Sequence, residues 1–260
     1  MFKLLQIEWI KLKHYKSFWM FLLFFYVALL STNYFIYKLY NKQFSAGKGA
    51  PTNGIFSFPN VWHTVTYISG FVFFIPALLI IILGTNEITF RTYRQNIIDG
   101  LSRKQYIITK FILIMILSVV YTVLVVSVVF IFGLSSKSAI NFEGSHYLLF
   151  FYIQCVCYNC MALLFAITIK KAGMAIGSFV VYAWILEKSV SGILNSAFKY
   201  NIGNYLPLSS SDKLIPLPFA PDASVKLDGQ PSIAILFFVA ILYIILIFIT
   251  AYYKSGNEDI

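Results

Sequence analysis

The sequence predicts an all-α, polytopic membrane protein with six transmembrane helices, and three observations predict it. Of 260 residues, 59% are hydrophobic and only 12% are charged, about half the charged share of a soluble domain. The apolar residues gather in runs of about 20, the length that a hydrocarbon core of about 30 Å demands. Most Lys and Arg residues fall between those runs, as they do when charge sets membrane topology. Residues 1–260 read as one transmembrane domain, with no composition shift marking a second.

Residues 1–16 form a basic amphipathic segment. Phe2, Leu5, Trp9 and Leu12 recur at helical spacing, and Lys3, Glu8 and Lys11 lie off that stripe. A helix of this kind lies in the membrane interface, with Trp9 at headgroup level and lysines reaching phosphate. The plainer alternative is a frayed basic tail. The first span covers residues 18–37. It exceeds the apolar core of a signal peptide, and no small-residue cleavage site follows, so it reads as uncleaved.

The other spans cover residues 65–83, 111–134, 147–169, 174–190 and 233–252. Pro76 sits within the second, a place for a kink that neighbouring helices tolerate. The fifth is short and ends with Glu187 and Lys188, which places that end at the interface, where charge costs less. Six spans put both termini on one side. With the N-terminus inside, twelve of the 20 Lys and Arg residues face inward, mostly in short loops. That bias favours cytoplasmic N- and C-termini.

Two outer loops carry structure of their own. Residues 38–64 contain Pro59, Trp62 and His63. Residues 191–231 carry Ile193, Leu194, Ala197 and Phe198 at helical spacing, then Pro207, Pro216, Pro218 and Pro221. A connection of about 40 residues with its own apolar period is no simple tether. Short helices tucked into the outer leaflet before the last span are expected.

The densest polar stretch is residues 86–110, between spans 2 and 3. It holds Glu87, Arg91, Arg94, Asp99, Arg103, Lys104 and Lys110. Span 2 is expected to continue as a helix to about Ile98. Asp99-Gly100 then stops it, because glycine enters the left-handed C-terminal conformation without a Cβ clash. Ser102 and Gln105 form the Ser-x-x-Gln pattern of a capping box. A helix from Ser102 to Leu134 would run about 50 Å, more than the hydrocarbon core of about 30 Å. The surplus projects into the cytosol. Ile97, Ile98 and Leu101 at the tip then have no lipid to face and are candidates for a protein contact. The plainer reading is a positive loop with incidental caps.

Other chemistries find little support. The formal charge of +10 is explained by topology, so nucleic acid is not an expected partner. Cys155, Cys157 and Cys160 lie in one apolar run and read as packing residues, with no metal site assigned. Ala46-Gly47-Lys48-Gly49 lacks the spacing of a phosphate-binding loop, with Lys42 and Gly49 where glycine and Ser or Thr are needed. His14, His63 and His146 are isolated at span edges. No catalytic residues are assigned. Gln154 and Asn159 in span 4 suit hydrogen bonds between helices, with substrate contact as the alternative.

Residues 86–110 resemble the coupling segment of type-2 ABC transporter permeases. In that family an acidic residue follows span 2, then a basic helix, a turn, and Ser-Arg leading into span 3. Here the residues are Glu87, Arg91, Thr92, Arg94, then Asp99-Gly100-Leu101-Ser102-Arg103 and Lys110. The chain departs at Arg91-Thr92-Tyr93, where many members carry Gly-Thr. The resemblance extends to the N-terminal interfacial helix, the six spans and the long outer loop.

The resemblance implies a permease subunit without catalytic activity or cofactor of its own. Two permeases pair, here as a homodimer, and separate ATPase subunits bind ATP and Mg. It further implies export across a plasma membrane. The ATPase-coupling surface would comprise Glu87, Arg91, Arg94, Ile97, Ile98, Asp99, Gly100, Leu101, Ser102 and Arg103. Substrate-contacting residues are not readable. The competing readings are a six-span secondary transporter, which calls for charges near the midplane, and a non-catalytic membrane scaffold.

Overall fold

The computed structural model describes residues 2–44, 54–90, 92–98, 102–136, 138–198, 200–218 and 231–257. Among the described residues the secondary structure is helical, with no strand. Helix α1 (Phe2–His14) is followed by α2 (Lys16–Phe44), which the intervening Tyr15 joins to it through a 3.0 Å bond from the Phe18 amide to the Tyr15 carbonyl. Helices α3 (Asn60–Ser69) and α4 (Phe74–Thr89) flank a 3-10 turn at Gly70–Val72. Then come α5 (Thr92–Ile98), α6 (Arg103–Ser135) and α7 (Tyr147–Ile169). Helix α8 (Ala172–Val181) passes through a π-turn (Tyr182–Leu186) into α9 (Glu187–Ala197). Helices α10 (Pro207–Asp212) and α11 (Ile233–Asn257) complete the fold.

Five helical stretches are long and apolar enough to cross a membrane: α2, α6, α7, α8 through α9, and α11. The α3–α4 pair makes a sixth if it is one span bent by 43°. The break lies just before Pro76, which has no amide to donate and whose ring crowds the carbonyl four residues back. As one span, the pair begins earlier than residue 65 and is bent. The fifth is longer than expected, because the π-turn carries the helix through Glu187 to Ala197.

Helix α7 is the centre of the bundle and packs against α4, α6, α8, α10 and α11. Its three cysteines are fully buried. Cys157 donates to the Pro207 carbonyl at 3.4 Å, and Asn159 donates to Ser118 of α6 and to Cys155, both at 3.4 Å. Asn159 thus bonds between helices. A Cβ on Gly84 would stand 3.0 Å from the Ala166 Cβ, so α4 and α7 approach there as small residues allow in membranes.

The outer helices expose their apolar faces. Leu23, Phe24 and Phe35 on α2 and Phe238, Leu242 and Ile245 on α11 are all exposed. Such continuous apolar surface is tolerated where lipid covers it. Helix α1 and the C-terminal part of α11 both meet α6 near its start, so the two described ends of the chain lie together. Lys110 of α6 bonds Glu8, and the Lys104 ammonium lies 5.3 Å from the centre of the Tyr252 ring.

Candidate functional site

The stretch after α4 is not one continuous helix. Helix α4 stops at Thr89 and Phe90 caps it, its amide donating to the Asn86 carbonyl at 2.9 Å. Thr92 donates its hydroxyl to the Glu87 carbonyl at 3.2 Å. A side-chain hydroxyl therefore satisfies a carbonyl that the next turn of helix would otherwise use. Helix α5 starts afresh at Thr92, where an uninterrupted helix to Ile98 was expected. The start of α6 is as the sequence predicts. Ser102 is extended, its Oγ accepts from the Gln105 amide at 3.2 Å, and the Gln105 side chain accepts from the Ser102 amide at 3.1 Å.

Between these two arms lies a buried ionic cluster. The Lys110 ammonium donates to Glu87 at 2.6 Å and to Glu8 at 2.7 Å. The Tyr106 hydroxyl donates to the other Glu87 oxygen at 2.6 Å. Lys11 stands 3.2 Å from Glu8 and 3.7 Å from Glu87, at the more exposed edge. Two carboxylates thus face two ammoniums, and the charge closes locally. Next to the cluster, Asn86 donates to the Tyr15 hydroxyl at 2.8 Å. Three helices distant in sequence, α1, α4 and α6, are fastened by charge-assisted hydrogen bonds, the stronger kind.

Glu8 is the unexpected member. The sequence stripe put Trp9 on the apolar face, at headgroup level, and Glu8 off it. In the structure Glu8 and Leu12 are buried, and Ile7, Trp9 and Ile10 point out. The physical reason is Lys110, itself buried, whose charge in a dry site demands counter-charges.

The remaining positions of the candidate coupling surface distribute as follows. Glu87 faces inward to the cluster. Ile98 is 84% exposed, Ile97 is half-buried and Phe90 is exposed. Ser102 is exposed and Arg103 is partly so. Arg94 lies in α5. Arg91, Asp99, Gly100 and Leu101 lie outside the described residues. Glu8, Tyr15, Tyr106 and the pairing role of Lys110 were missed from sequence. The available signal was charge on an apolar helix face, Lys110 with no acid within a turn and Glu8 with Lys11 alone.

The geometry ties α4, which α5 follows across the short Phe90 break, to α6 and α1 through Glu87. Residues 4–185 match a family model described as ABC-2 family transporter protein. That stretch includes every member of the cluster and all of α5. No curated protein matches the chain.

Proposed function

Because the chain belongs to the ABC-2 family of transporter proteins, we propose that it is an exporter permease that takes its energy from an ATPase docked on residues 86–110. Membership makes it a multi-pass membrane permease of an ABC transporter, with an ABC ATPase subunit as partner. The finer reading is ours. Two copies pair in the plasma membrane with both termini in the cytoplasm. The ATPase partner holds ATP and Mg. Its closure pushes α5, and the two permeases repack so that the route between them opens outward. The bistable element is the interface between permeases, as switching by rigid-body motion requires.

The observation that carries this reading is the ionic cluster behind α5. A docking element needs an exposed contact face and a stiff connection to the helices it moves. Ile98 is open to a partner, and Glu87, Lys110 and Glu8 supply the connection. Co-purification with the cognate ATPase tests it. The double variant Arg91→Glu, Arg94→Glu should lose the ATPase on the affinity column while membrane insertion stays at the wild-type level. Undiminished co-purification would overturn the assignment of the docking surface.

A further inference from the structure

A second polar site lies near the end of α4 remote from Glu87. A cavity of about 310 Å³ opens between the α3–α4 bend, α7, the π-turn and the end of α10. Phe71, Phe74 and Trp184 form an aromatic wall, and Trp184 packs edge-on to Phe74 with ring centres 6.0 Å apart. The π-turn shapes this wall. It turns Ala183 inward and leaves Trp184 at the mouth, and such turns recur at functional sites. Phe71 and Trp184 are 58% and 56% exposed and lie in stretches apolar enough to span a membrane. The mouth therefore opens sideways between spanning helices, where lipid chains lie.

The charges of the lining do not balance. Among the described residues it holds two ammoniums, Lys188 and Lys213, and one carboxylate, Asp212. Asp212 is already satisfied: Gln154 donates to it at 2.8 Å, Tyr158 at 3.0 Å, and Lys188 pairs with it. The side chain of Lys188 is half-exposed, so ammonium hydrogens remain to be given. Lys213 is exposed and has no ion pair or side-chain hydrogen bond. One positive charge is thus left over. Lys188 sits inside the apolar stretch Ala172–Ala197 rather than at its end. Charge at that depth calls for opposite charge close by.

The occupant is selected by net charge and by the apolar mouth together. A cationic group would find no open carboxylate and would meet two lysines. A zwitterionic headgroup could bring its phosphate to the lysines, but its ammonium would have no partner there. A small soluble anion would answer Lys213 and make no use of the exposed rings. A molecule with a net-negative head and apolar chains answers both parts of the site.

We propose that this cavity binds a net-anionic phospholipid, its phosphate at Lys188 and Lys213 and an acyl chain along Phe71 and Trp184. Asp212 holds Lys188 at the rim and takes no part in recognising the headgroup. The site reads charge and not N–H donors, so two zwitterionic lipids that differ only in methylation should bind alike. The proposal requires neither the ATPase partner nor the coupling surface.

Native mass spectrometry of the detergent-purified chain tests this, with dioleoyl phosphatidylglycerol, phosphatidylethanolamine or phosphatidylcholine added at equal concentration. The glycerol lipid should be retained about fivefold over the other two, the value of one uncompensated lysine beside an anionic headgroup. The ethanolamine and choline lipids should be retained alike. Lys213→Gln should bring the glycerol lipid down to their level, and Lys213→Arg should keep the preference. Lys42→Gln, an exposed lysine at the end of α2, should leave it unchanged and so separates this site from the general positive charge of the chain. Trp184→Ala should weaken all three lipids. Retention of the glycerol lipid no better than the choline lipid, an intact preference in Lys213→Gln, or an equal loss in Lys42→Gln would overturn the proposal. Displacement by glycerophosphoglycerol at matched concentration would equally overturn it, because a soluble anion would then be the ligand.

Discussion

Replacing Lys110 with Met should be the most damaging single change in the ionic cluster. The side chain is buried and bonds Glu87 at 2.6 Å and Glu8 at 2.7 Å. Met nearly conserves the volume, so the lost term is charge. Two carboxylates then share one ammonium, Lys11, which sits at the exposed edge and 3.7 Å from Glu87. Breaking a buried pair from one side costs about 3–5 kcal/mol. Glu8→Gln removes less, because Glu87 and Tyr106 still hold the hairpin arms together and an amide oxygen can still accept. Its cost should be about 1.5–3 kcal/mol, the range for one hydrogen bond to a charged group. The double variant should be milder than the sum of the singles, because removing Glu8 relieves the repulsion that the lysine deletion creates. Reversible unfolding in mixed micelles titrated with SDS measures all three. A Lys110→Met variant within about 1 kcal/mol of wild type, or a Glu8→Gln variant costing more, would refute the assignment of Lys110 as the keystone.

Three further outcomes follow from single contacts. Ser102→Ala removes the cap of α6 and should cost about 1 kcal/mol, read as faster hydrogen exchange at the Gln105 amide. Gly84→Leu should force α4 and α7 apart at Ala166, costing about 1–3 kcal/mol by the same micelle titration. Glu187 accepts from the Leu208 and Ser209 amides at 2.7 and 2.6 Å. Glu187→Leu strands both donors, at about 1–3 kcal/mol for each unsatisfied group, and should expose residues 207–212 to limited proteolysis.

The helical, membrane-spanning character was legible because it depends on local composition. Run length and charge placement report on lipid directly. The cap of α6 was legible for the same reason, since Ser102 and Gln105 are three residues apart. What was not legible is long-range. Glu8 and Lys110 are separated by 102 positions, and no local period links them. The amphipathic stripe misplaced Glu8 because an apolarity rule assigns every charge to the wet side. Glu187 shows the same limit. It read as an interfacial charge ending a short span, but the helix continues and the carboxylate turns inward to receive the first amides of α10. The break at Phe90 was missed because residues 83–98 carry no proline. The cue was subtler, a Thr92 hydroxyl competing for a backbone carbonyl.

The choice of ions over apolar contact in the cluster bears on how a push would travel. Helix α1 offers two ways to hold α6: its apolar residues, or Glu8. Apolar contact is non-directional. A carboxylate between Lys11 and Lys110, with the ammonium of Lys110 shared by Glu87, fixes both distance and angle. Sliding α1 by one turn would carry Glu8 about 5.4 Å along its axis and break the Lys110 bond outright. The three helices therefore have one register or none. Helix α5 meets this unit across the Phe90 break, which the Thr92 hydroxyl spans by donating back to the Glu87 carbonyl at 3.2 Å. Glu87 lies on the bundle side of that break, bonded to α6 and within one lysine of α1. On the proposed docking, force arriving at α5 would be shared among α4, α6 and α1 through Glu87.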